Sequence, residues 1–76
     1  MKAYVLIKVI IGTSETVVEE MRQISGVREV SAITGPFDAI ALLEAPNPAE
    51  IATLVISRLQ KIEGVKDTLT CFALSS

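Results

Sequence analysis

Cys71 is the one strong nucleophile in the sequence, and the chain contains no histidine to act as its base. That absence removes Ser-His-Asp and Cys-His catalysis, histidine general bases and His-ligated metals together. Between Thr70 and Phe72 in a strand-like run, a lone cysteine is expected to be a buried, inert thiol, because free cysteine is among the most buried residue types. The carboxylates are mostly spread along amphipathic segments and form no pair suited to general acid-base work. Gly12, Gly26, Gly35 and Gly64 stand singly at segment ends, so there is neither a phosphate loop nor a dinucleotide fingerprint. The residues therefore point to binding, with no catalytic site, metal or cofactor expected.

Two groups of residues can bind. The first is the turn Thr34-Gly35-Pro36-Phe37-Asp38, whose exposed backbone groups and Asp38 carboxylate can hold the ammonium and carboxylate of a small zwitterion. An equally available reading makes Asp38 a plain turn residue. The second is Thr68 and Thr70, which present hydroxyls from one face of the last strand, a placement that ordinary strand propensity also explains.

The elements that carry these residues are announced by an internal repeat. Ile24-Ser25-Gly26-Val27-Arg28-Glu29-Val30 recurs as Ile62-Glu63-Gly64-Val65-Lys66-Asp67-Thr68, position 62 standing against position 24, half a chain away. Two copies are too few for a solenoid and indicate two pseudo-symmetric βαβ halves. In each, a helix ends, glycine takes the left-handed position after it, and valine folds back on the last turn. Ala3 to Ile10 reads as the first strand, being rich in β-branched and aliphatic residues. Thr13 or Ser14 then caps a helix with Val17, Val18, Met21 and Ile24 on its apolar side. Glu29 to Thr34 and Ala39 to Ala45 read as a hairpin across the Gly35-Pro36 turn. Asn47, Pro48 and Glu50 give the cap, first helical position and capping partner of a second helix, whose stripe is Ile51, Leu54, Val55, Leu59 and Ile62. Lys66 to Leu74 form the last strand.

The order βαββαβ predicts an α+β, ferredoxin-like domain over residues 1–76: a four-stranded antiparallel sheet in the order 4-1-3-2 with both helices on one face. The other face should then be polar in a monomer, yet alternation leaves both faces mostly apolar. Ala3, Val5, Ile7 and Val9 oppose Tyr4, Leu6, Lys8 and Ile10; Ala39, Ala41 and Leu43 oppose Ile40 and Leu42; Leu69 and Cys71 oppose Thr68, Thr70 and Phe72. A second sheet packed face to face would cover the surplus, giving a homodimer of dimeric α+β barrel type. The 76-residue length agrees, because half of its residues are hydrophobic and an isolated copy balances roughly 110 kcal/mol of apolar burial against about 110 kcal/mol of ordering. A net charge of -2 with no basic cluster predicts no direct contact with nucleic acid or anionic membrane. Only Tyr4 and Phe72 are available as aromatics for stacking RNA on the sheet. No apolar run reaches membrane-spanning length, no signal-peptide cleavage pattern follows Met1, and a single cysteine suits a reducing, cytoplasmic setting.

At this point the turn Gly35-Pro36-Phe37-Asp38, the helix end Ile62-Glu63-Gly64-Val65 and the ending Asp67-Thr68-Leu69-Thr70-Cys71-Phe72-Ala73-Leu74 amount to a family resemblance. The chain resembles the effector-binding domain of the Lrp/AsnC transcriptional regulators, in its stand-alone form, the "regulation of amino acid metabolism" (RAM) module. The resemblance implies dimers joined through their sheets, assembly of dimers into octamers or decamers, and an amino-acid effector between dimers. By position it implicates Gly35, Phe37 and Asp38 from the turn and Thr68 and Thr70 from the ending. Pro36 stands where such turns more often carry a polar residue, which removes one backbone donor. Full-length regulators carry a helix-turn-helix ahead of this domain, whereas here the first strand begins at about Ala3. The expected activity is therefore amino-acid sensing by an oligomer that touches transcription only through partners such as full-length regulators. The alternatives are an ACT-type amino-acid-binding domain, with its ligand near Gly12-Thr13, a small dimeric α+β barrel enzyme, for which the missing histidine is unfavourable, or a purely structural oligomer.

Overall fold

β1 (Lys2–Val9) runs up the middle of the sheet and is followed by α1 (Ser14–Arg22), β2 (Val27–Ala32), β3 (Ala39–Glu44), α2 (Pro48–Ser57), a 3-10 turn (Leu59–Lys61) and β4 (Val65–Phe72). The computed structural model describes residues 1–75. The strands lie in the order β2-β3-β1-β4, every neighbouring pair antiparallel, as the βαββαβ order predicts.

Local chemistry starts and stops these elements. At α2, Asn47 Oδ1 accepts the Glu50 N–H at 2.9 Å while Asn47 Nδ2 donates to Glu50 Oε2 at 3.3 Å, a reciprocal cap ahead of Pro48. The first helix differs from expectation. Thr13 occupies the cap position without a side-chain capping bond, and its hydroxyl donates back to the Ile10 carbonyl at 2.6 Å. The second helix also ends earlier than its apolar stripe: Arg58, at φ -122°, breaks it, and the 3-10 turn then buries Leu59. β2 is shifted toward the helix end, because Val27 already pairs with Leu43 before a bulge ahead of Glu29.

The two repeat glycines explain why the halves fit together. Gly26 and Gly64 adopt φ +97° and +104°, the left-handed region that an L side chain rarely enters. Each lies under the helix of the other half. A Cβ on Gly26 would meet Leu54 Cδ2 of α2 at 2.9 Å, and one on Gly64 would meet Thr13 Oγ1 at 2.9 Å and Val17 Cγ2 of α1 at 3.0 Å. The repeat therefore marks a reciprocal crossing as well as a pair of similar turns.

Between helices and sheet, Val5, Ile7, Leu43, Val17, Met21, Ile51 and Leu59 are fully buried, and no polar side chain is buried with them among the described residues. Ala3, Ala39 and Ala41 are also fully buried, and the large core side chains come from both layers: Val5, Ile7 and Leu43 from the strands, Val17, Met21 and Ile51 from the helices. Register places Tyr4 opposite both Leu42 and Cys71, and Leu6 opposite both Ile40 and Leu69. These six form the centre of the helix-free face, with Lys2, Lys8, Glu29, Glu44 and Asp67 around them. Leu69 is 49% exposed and Tyr4 44% exposed. The expectation of a buried thiol fails here: Cys71 is exposed, because alternation turns it to the one face of the sheet that no helix covers.

Candidate functional site

The turn between β2 and β3 is closed by the Ile33 N–H, which donates to the Asp38 carbonyl at 3.0 Å. Asp38 is then fastened to β1 twice: its N–H donates to the Ile7 carbonyl at 2.8 Å, and its Oδ2 accepts the Val9 N–H at 2.9 Å. The cause is a mismatch of strand ends. β3 begins at Ala39 opposite Ile7, so the chain leaves the ladder before it can serve Val9, and the Asp38 carboxylate replaces the missing carbonyl. Phe37 is half-buried with its ring centre 5.7 Å from Lys8 Nζ, a cation–π distance. Gly35 and Pro36 are exposed at the tip, and the space where a Gly35 side chain would stand is open. The turn thus presents backbone to solvent from a base anchored by Asp38.

Thr68 and Thr70 lie on the other side of β1, opposite Ile7 and Val5, and so on the helix-bearing face. There β4 runs beyond the cover of α2 and leaves a groove of about 270 Å³ lined by Ala52, Val55, Ile56, Gln60, Thr68, Thr70 and Phe72. Gln60 Nε2 donates to Thr68 Oγ1 at 2.8 Å. The Thr68 N–H, at the outer edge of the sheet, donates to Asp67 Oδ1 at 2.9 Å. Sequence reasoning missed Ala52, Ile56, Gln60 and Phe72 as a lining. A signal existed in Ala52 and Ile56, an apolar i, i+4 pair one position beyond the core pair Ile51 and Val55.

The structure brings Thr68 and Thr70 together, and Gly35, Phe37 and Asp38 together, but keeps the two groups apart. Thr68 and Ala39 flank β1 at Ile7, which sets the threonine and the turn two strand spacings apart, about 10 Å. Within one subunit they are two separate clusters. The remaining candidates have other placements. Tyr4 and Phe72 point to opposite faces, so they make no stacking platform. At the first strand-to-helix turn, Thr13 is tied to Ile10 and packed on Gly64. Among the described residues no group of three Cys, Asp or Glu is placed to hold a metal ion, and no helix is long and apolar enough to cross a membrane.

An antiparallel βαββαβ sheet with helices on one side and an apolar centre exposed on the other defines a ferredoxin-like α+β domain. The family model described as the Lrp/AsnC ligand binding domain matches residues 2–76, and the chain belongs to this family. It is similar to an HTH-type transcriptional regulator of Pyrococcus furiosus, 36% identical over 58 residues, which cover 76% of this chain and 39% of the relative. A regulator of Pyrococcus horikoshii matches at 38% over the same shares. The chain thus spans 39% of the length of these curated relatives. Among solved structures, a Thermus thermophilus protein superimposes with TM-score 0.92 and 29% identity, over 99% of this chain and 94% of that one. A Neisseria meningitidis transcriptional regulator, solved as a complex with L-Met, superimposes with TM-score 0.86 and 18% identity, over 97% of this chain and 49% of its own.

Proposed function

We propose that residues 1–76 form an amino-acid-sensing RAM module whose effector binds at junctions between subunits and whose effect on transcription passes through partners. The observation that carries this reading is the separation of the two clusters. Within one subunit the backbone of the turn and the hydroxyls of the groove lie too far apart to meet one small ligand, and packing the turn of one subunit near the β4 groove of another brings both to it. Membership of a ligand-binding family supports it, as does the L-Met complex of a regulator with the same fold. Gly35, Phe37 and Asp38 supply the turn half, with Asp38 fixing its geometry from below; Thr68 and Thr70 supply the other. The helix-free face makes the dimer, its apolar centre bordered by charges of both signs, and dimers close into an octamer or decamer in the cytoplasm. Both helices are occupied in covering the sheet, so the described residues present no free helix for reading DNA. The module is not catalytic.

Thermal-shift and calorimetric screens with the twenty amino acids test this, with mass by light scattering before and after. A responding amino acid at a hundred times its Kd stabilises the protein by about 2.7 kcal/mol. An eight- or ten-subunit mass is expected. A monomer that answers to no amino acid refutes the proposal.

A further inference from the structure

We infer that the effector carries an uncharged, mainly apolar side chain, and that the groove between α2 and β4 is what selects it. This deepens the amino-acid reading above and rests on it. The groove is walled by the aliphatic side chains of α2 and by the Phe72 ring, and its polar groups, the Thr68 and Thr70 hydroxyls and the Gln60 amide, are all neutral. Among the described residues no ionisable side chain lines it. Lys66 and Asp67 belong to a neighbouring depression, and the two hollows share Gln60 and Thr68 as their common wall. The 2.8 Å bond from Gln60 Nε2 to Thr68 Oγ1 holds that wall together, and Asp67 is held on its far side by the Thr68 N–H. A carboxylate, ammonium or guanidinium seated in the groove would lose water without meeting an opposite charge from its α2 and β4 walls, which is strongly unfavourable. An aliphatic or thioether chain gains instead, since Ile56, 57% exposed, and Phe72, 45% exposed, present apolar surface with nothing against it. About 270 Å³ accommodates a four-carbon side chain.

Calorimetric titration of the assembled protein with a graded series, alanine, 2-aminobutyrate, norvaline, leucine and methionine, against aspartate, glutamate, lysine and arginine, tests the inference. Affinity should rise about fourfold per added methylene until the groove is filled. The four charged amino acids should bind at least tenfold more weakly than leucine or methionine. Ile56→Glu places a carboxylate on the exposed wall of the groove, and in protein whose circular dichroism and subunit mass match the parent's, affinity for leucine should fall at least tenfold while that for lysine rises. A charged amino acid that matches leucine, a flat series, or an Ile56→Glu protein of unchanged leucine affinity overturns the inference and leaves amino-acid sensing standing. Silence to every amino acid overturns both.

Discussion

Replacing Asp38 by alanine removes the carboxylate fastened to the end of β1 and strands the group it serves. The Val9 N–H, on a residue 7% exposed, loses its 2.9 Å acceptor, and no carbonyl of β3 can reach it, because that strand begins at Ala39. A buried donor left without a partner costs about 1–3 kcal/mol, and about 2 is reasonable for this partly buried bond. For a domain of this size each kcal/mol lowers Tm by about 4–8 °C, so Asp38→Ala should melt about 8–16 °C below the parent. Asp38→Asn keeps an oxygen at the same place and should lose less than half as much. Scanning calorimetry at one fixed protein concentration is the appropriate assay, since assembly ties Tm to concentration. A second comparison separates anchoring from contact with effector: if the carboxylate also touches the ligand, Asp38→Asn retains most of the stability but loses the shift that a responding amino acid produces. An alanine variant melting within about 3 °C of the parent would refute the assignment of Asp38 as the base of the turn.

Two further perturbations probe the frame and the assembly. Gly26→Ala and Gly64→Ala share a left-handed strain of about 1–2 kcal/mol, but the first new methyl meets the mobile end of Leu54 and the second meets Thr13 and the branched Val17. Urea unfolding should therefore show Gly64→Ala less stable than Gly26→Ala by about 1–3 kcal/mol; equal midpoints would refute the difference in give between the two contacts, and two variants as stable as the parent would refute the crossing. Leu42→Asp places a carboxylate in the centre of the helix-free face and should reduce the assembly to monomers in light scattering. Labelling of Cys71, on the same face, should be fast in that variant and slow in the parent; equally fast labelling in both would show that the face stays open in the assembly.

Much of the fold was legible in the chain because its determinants are local. The cap at Asn47, the left-handed glycines Gly26 and Gly64, and the alternation in β1 and β3 each depend on a few consecutive residues, and the βαββαβ order then leaves few topologies open. The misreadings fell where local preference met a tertiary condition. Thr13 has the residue type of a cap, yet packing against Gly64 turns its hydroxyl toward Ile10. Cys71 has the residue type of the interior, yet which side of β4 receives a helix is settled by the crossovers and not by the cysteine.

The candidate site divides in the same way. From sequence alone come its residue types: a Gly-x-aromatic-Asp turn, two threonines at alternate positions, and an apolar surplus that no single copy can bury. Tertiary structure decided what each does. It turned the Asp38 carboxylate onto Val9, gave Thr68 to Gln60, and opened beside Thr70 a groove whose wall comes from α2. The physical reason is that a side chain's partners in this sheet come from strands and helices distant in sequence, so their identity depends on register and crossover, which the whole chain sets together.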